Sequence, residues 1–168
     1  MFTQQQIERF LAAARETIAE VPHCWLATRS HDGGANARAV RAHAGSPDSD
    51  EWTRRVLVHR SSRKVGEIRE APRVTLGYQH DSGDRYVALG GKAALIEDNA
   101  EMHSLWPSSM DAHFPDGFAD ANMIVLRVDV DRIEIHARGI TREPFGTGRT
   151  LLERDGSSGW RFVPGYVS

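Results

Sequence analysis

Apolar residues recur along this chain with two different periods, and the switch between them divides it into elements. Ile7, Phe10, Leu11, Ala14 and Ile18 fall on one face of a 3.6-residue repeat. Thr3 and Gln6 have capping-box spacing and Phe2 and Ile7 hydrophobic-staple spacing, so the pattern predicts a helix over residues 4–20, closed by Pro22. Its stripe contains small alanines, which suits a helix lying across the end of another element. Beyond it the period falls to two. Residues 24–30 and 35–43 flank the turn His31-Asp32-Gly33-Gly34 and read as a hairpin. A small, polar, acidic stretch over 45–51 follows, then Arg54–His59, in which Val56 and Val58 alternate like a half-buried strand.

Arg63–Glu70 reads as a short helix opened after Ser61-Ser62 and stopped by Ala71-Pro72. Arg73–His80 and Arg85–Ile96 are strands joined by residues 81–84, and Gly90-Gly91 inside the second predicts a bulge or a close backbone approach. Asp98–Trp106 reads as a helix and Met123–Ala137 as a long strand. Leu151–Arg154, a turn over 155–159 and Trp160–Val163 make a C-terminal hairpin at about 150–163. Many short strands with few helices imply a mainly β, antiparallel barrel or sandwich, because consecutive hairpins need no helical crossover.

A length of 168 residues favours one domain over the whole chain, 1–168, and 40% hydrophobic with 26% charged residues is ordinary globular usage. The net charge of −2 gives no global attraction for nucleic acid or an anionic membrane, and no apolar run is long enough to span one. Cys24 is the single cysteine, beside Trp25 in a strand, and is expected to be a buried, inert thiol in a reducing cytoplasm. The histidines show no metal-ligand spacing, so no protein-bound metal is expected.

Charge is uneven nonetheless. Between Arg38 and Arg73 the cations 38, 41, 54, 55, 60, 63, 64, 69 and 73 face the acids 48, 50, 51, 67 and 70, whereas from Glu97 to Glu134 acids dominate. Ser62-Arg63-Lys64 opens a helix, where free N–H groups, a hydroxyl and two cations could converge on a phosphate. Solvated first-turn residues are the other reading of the same spacing. A helix N-terminus disfavours cations, however, so two together there call for a compensating anion.

The run Ser62-Arg63-Lys64 through Ile68 to Pro72-Arg73-Val74-Thr75-Leu76 resembles the S-R-K…I…N-P-R-V-S-L block of the pyridoxamine 5′-phosphate oxidase family. Arg85–Ala93, ending Gly91-Lys92-Ala93, is similar to the strand that follows that block, and Arg38-Ala39-Val40 to the family's R-x-V strand. Leu105-Trp106-Pro107 and Phe114-Pro115-Asp116-Gly117 resemble the general-stress-protein branch. The likeness covers about residues 7–136. It implies a split β-barrel that binds FMN between the subunits of a homodimer, with Arg38, Arg63 and Lys64 on the phosphate and Ser62 near it. Ala39 and Val40 would meet the flavin, Val58 or His59 would lie beside the ribityl chain, and Tyr86 together with Trp106, the latter from this or the partner subunit, would border the ring.

The implied activity is an FMN-dependent oxidoreductase acting on a small molecule. Other readings are a non-catalytic flavin-binding stress protein and a haem- or deazaflavin-binding relative. True vitamin B6 synthesis is not implied. The family's substrate-phosphate lysine is replaced by His43, its Tyr-x3-Arg-x3-Ser array by Ser104, Ser108 and Ala112, and its C-terminal R-x-H is absent around Trp160–Pro164. Arg142, Arg149 or Arg161 are the cations that could substitute.

Overall fold

The computed structural model describes residues 2–118, 121–155 and 159–164. Helix α1 (Gln4–Glu20) starts at the expected capping box, with the Gln6 N–H donating to Thr3 Oγ1 and the Thr3 N–H donating to Gln6 Oε1. Phe2 packs edge-on against Phe10 and lies 4.2 Å from the Phe162 ring. Strands β1 (Cys24–Arg29) and β2 (Ala35–Val40) form the expected hairpin. Strands β3 (His43–Ala44), β4 (Arg54–His59), β5 (Arg73–His80), β6 (Arg85–Ile96), β7 (Met123–Ala137), β8 (Thr150–Glu153) and β9 (Arg161–Val163) follow, with helices α2 (Arg63–Glu70) and α3 (Asn99–Leu105) between them. All the strand pairs are antiparallel.

The sheet order is β2-β1-β5-β6-β7-β4-β3, with β8 and β9 branching from β7. The strand expected over 35–43 therefore breaks after Val40, and its last part pairs on the far side of the sheet. Only Arg41 and Ala42 join the edge strand β2 to the opposite edge strand β3. Three residue steps reach about 11 Å at most, so the two edges must lie close together. The sheet consequently curls into a mainly β split barrel rather than an open sandwich. Nine strands stand among the described residues; the one not read separately from the sequence is β3, whose two residues are too few for an alternation to register.

The concave face is filled from alternate positions by Leu26, Leu76, Leu89, Leu126, Ile133 and Leu152, and α1 closes it with Phe10, Leu11 and Ala14. Ile18, expected on that stripe, is only half-buried, while Ala13 and Thr17 are buried. No helix among the described residues is long and apolar enough to cross a membrane. Part of the C-terminal hairpin's turn, residues 156–158, lies outside the described residues.

The Gly90-Gly91 signal has a structural cause. Gly90 pairs with Arg132 and Gly91 with Val130, which makes Asp131 of β7 an extra, bulged residue. A Cβ on Gly91 would sit 2.4 Å from the Asp129 carbonyl oxygen, which is backbone and cannot move aside, whereas one on Gly90 would meet only the Arg132 side chain at 3.4 Å. Gly91→Ala is expected to cost about 2 kcal/mol or more and Gly90→Ala well under half of that, read from urea denaturation midpoints. Equal effects of the two substitutions would contradict the close approach.

Candidate functional site

Helix α2 is short and starts from an extended Ser62 whose side chain makes no capping bond. Its first turn carries no acid, and Val65, Glu67 and Ile68 are its buried positions. Two of these are ordinary core residues. Glu67 is a carboxylate only 1% exposed, and it is satisfied from three elements. Thr28 Oγ1 of β1 donates to its Oε2 at 2.6 Å, Asn36 Nδ2 of β2 to its Oε1 at 2.5 Å, and Arg38 Nη2 of β2 to its Oε2 at 2.9 Å. Arg63, one turn earlier on α2, brings Nε to 3.3 Å from Oε1. Burial opposes ionisation of Glu67, but the bonds from Thr28, Asn36 and Arg38 outweigh it and hold the carboxyl below its ordinary range.

Arg38 is fixed a second time, with Nη1 donating to Thr28 Oγ1 at 2.5 Å and more weakly to the Leu26 carbonyl at 3.4 Å. Lys64 has no carboxylate partner of its own among the described residues. Burial and then the neighbouring Arg38 charge push its pKa down, against the pull of Glu67. The Ser62 hydroxyl is buried without a hydrogen-bond partner. Three cations thus surround one carboxylate at the start of α2, beside an orphaned hydroxyl and free helix N–H groups. Three cations against one carboxylate leave an excess of two positive charges, and these residues fit a phosphate.

The remaining expected residues are only partly gathered here. The Ser62 N–H donates to the His59 carbonyl at 3.0 Å, so the end of β4 adjoins the cluster; the exposed His59 ring shares a hydrogen bond with Ser61 Oγ. Val58 points into the core, leaving its backbone to meet any ligand. Val40 is half-buried against the core and Ala39 faces outward opposite Trp25. Trp106 stands apart, edge-on to Phe114 and Phe118, with Nε1 donating to Asp111.

Tyr86 belongs to a recess of about 520 Å³ on the outer face of the sheet. It stacks near His136 at 6.0 Å and meets Phe145 edge-on, while Trp25, 58% exposed, forms another wall. His136 is only 6% exposed; its Nδ1 lies 3.2 Å from Thr141 Oγ1, and its Nε2 is buried with no partner. A neighbouring groove shares Ala88 with this recess and carries Arg29, Arg73, Arg132 and Arg149, the last bound to Glu134. His43 is held toward its neutral form by burial and then by Arg41 and Arg55. Ser104 is engaged by Arg55 and by its own helix. Cys24 is buried, and burial pushes its pKa up, as expected of an inert thiol.

The sequence model for pyridoxamine 5′-phosphate oxidase like proteins matches residues 11–139. The chain belongs to that family. Within the pyridoxamine 5′-phosphate oxidase like proteins it is 33% identical over 84 residues to general stress protein 26 of Bacillus subtilis. That match spans 48% of this chain and 59% of the relative. Its fold is shared with a protein related to general stress protein 26 from Clostridium acetobutylicum, at a TM-score of 0.69 and 16% identity over 87% of this chain and 95% of that one. A pyridoxamine 5′-phosphate oxidase-related, FMN-binding protein from Nostoc punctiforme gives 0.69 and 15% over 97% and 98%. PhzG from Burkholderia lata gives 0.66 and 19% over 95% and 89%.

Two residues of this family member were not singled out from sequence. Glu67 sits four residues after Arg63 on a helix, a spacing that predicts their ion pair but not the burial of the acid. His136 offered none, since its burial depends on β6, β7 and the segment around Phe145.

Because the folded carboxyl of Glu67 is depressed, its contribution to stability is present above the ordinary carboxylate range and is lost as pH falls through the folded value. Glu67→Gln is expected to cost roughly 3 kcal/mol at neutral pH, with the gap to the unaltered protein narrowing on acidification. Denaturation series at several pH values measure that gap, and one that stays constant would show that Glu67 is not ionised in the folded protein.

Proposed function

We propose that this chain binds FMN and works as a flavin-dependent oxidoreductase of the general-stress-protein type. The observation that carries the reading is the cation excess at the start of α2. Arg38 and Arg63 share one buried carboxylate, with Lys64 and the unpartnered Ser62 hydroxyl beside them, which suits a phosphate monoester. A family membership and an FMN-binding neighbour of the same fold agree with it. Ala39 and Val40 continue from Arg38 along β2 and offer small, apolar contact to the ring.

The second wall comes from another copy of the chain. The outer sheet face is paved with Ala27, Ala35, Ala37, Ala39, Gly77 and Ala88, and it exposes Trp25 beside the Tyr86 recess. Small residues let two sheets approach closely, and apolar exposure of this kind favours an interface. When bound, the flavin supplies the hydride or electron transfer. This chain's residues hold the phosphate, orient the ring and keep water from it.

The purified protein is expected to show a flavin spectrum, to release FMN on heating and to sediment as two chains. Lys64→Ala should weaken FMN binding by about 1.5–3 kcal/mol and leave riboflavin, which lacks the phosphate, unaffected. A haem spectrum, a deazaflavin, a single-chain mass or parallel loss of both flavins would each overturn the corresponding part of the proposal.

Vitamin B6 synthesis is not proposed. A second phosphate beside the flavin would need its own cations, because an uncompensated buried dianion costs several kcal/mol. His43 is held neutral and Arg149 is already paired with Glu134. Pyridoxal 5′-phosphate formation by FMN-saturated protein is expected to stay at background; turnover abolished by changing Arg142, Arg149 or Arg161 would show a rebuilt pocket.

A further inference from the structure

The cluster at the start of α2 contains one group that a simple phosphate site does not need, a buried acid. We infer that Glu67 is the positioning residue of this site: it holds Arg38 in place for the ligand and trims three positive charges to two, the charge of a phosphate monoester dianion. The inference rests on the phosphate reading of the cluster and assigns a role within it.

The geometry separates holding from binding. Arg38 carries five donor hydrogens, and its bonds to Thr28, Leu26 and Glu67 use three of them. Nε and one Nη2 hydrogen remain uncommitted, on a side chain still 21% exposed and therefore reachable. Glu67 itself is 1% exposed and surrounded by donors, so an anion cannot touch it and is never asked to displace it. Thr28 Oγ1 ties the pair together, accepting from Arg38 Nη1 and donating to Glu67 Oε2. A guanidinium fixed in this way loses little freedom when the ligand arrives.

Two effects of neutralising Glu67 have opposite signs, which makes the role testable. If the carboxylate only lowered the local potential, Glu67→Gln would tighten FMN binding by removing a repulsive charge. If it positions Arg38, the neutral amide oxygen accepts from the guanidinium far more weakly than the carboxylate did, Arg38 is held less firmly and FMN binding weakens.

The experiment is fluorescence titration of the full-length protein with FMN and with riboflavin, in the unaltered chain, Glu67→Gln, Arg38→Ala and the double variant. Glu67→Gln is expected to raise the FMN dissociation constant about tenfold or more and to leave riboflavin within twofold. Added to Arg38→Ala, it should change FMN binding by less than twofold, because the residue it acts through is gone. Unchanged or tighter FMN binding in Glu67→Gln, or a parallel loss of riboflavin, overturns the positioning role.

Arg38→Ala separates this inference from the reading beneath it. If that variant loses FMN affinity and Glu67→Gln does not, the cradle stands and the role of Glu67 falls. If neither Arg38→Ala nor Lys64→Ala affects FMN, the cradle itself is wrong. Should Glu67→Gln fail to fold, Thr28→Val removes the linking hydroxyl and is expected to weaken FMN at least threefold with riboflavin unchanged; no change in FMN binding there also overturns the inference.

Discussion

An ionised carboxylate removed from water must have its oxygens filled by donors, and the Glu67 side chain imposes that demand on three elements at once. Thr28 answers it from β1, Asn36 and Arg38 from β2, and Arg63 from within α2. Helix α2 is thereby seated on the β1–β2 hairpin with its N-terminus beside Arg38. Val65 and Ile68 contribute the apolar part of that seat, but apolar contact is not directional. The hydrogen bonds select one rotation of the helix about its axis, and with it the direction in which Ser62 and Lys64 face.

The same arrangement leaves the site electrically incomplete. Arg38 and Arg63 divide one carboxylate between them, and Lys64 is half-buried beside both without an acid of its own among the described residues. Other surface cations are matched one to one: Arg15 pairs with Glu51, Arg154 with Asp50 and Arg138 with Asp84. Unmatched positive charge gathered at a helix N-terminus, where the backbone already favours an anion, distinguishes this place from the rest of the basic segment.

The two faces of the sheet divide the work. Branched and long apolar side chains fill the inner face under α1, while alanine and glycine pave much of the outer one. Small residues leave the outer face flat, so the few large side chains on it, Trp25, Tyr86 and Phe145, make walls rather than a packed layer. His136 is drawn into that face with an unsatisfied nitrogen, which gives the recess a polar point in an otherwise aromatic lining.

Local spacing was enough to determine α1 with its cap, the bounds of α2, β4, β5, β6 and β7, the glycine pair at the bulge and the basic Ser62-Arg63-Lys64 start. In each, the deciding residues lie within a few positions of one another, and period, capping and turn chemistry act at that range. The break after Val40, the curl that brings opposite sheet edges together and the gathering of Arg38 with Lys64 were decided by tertiary structure alone. So was the identity of the buried acid. The donors that hold Glu67 lie 29, 31 and 39 residues away, and nothing local distinguishes an acid that will be surrounded by them from one left in water on a helical surface. Desolvation depends on what the rest of the chain packs above a residue, and that is settled only when the hairpin and helix meet.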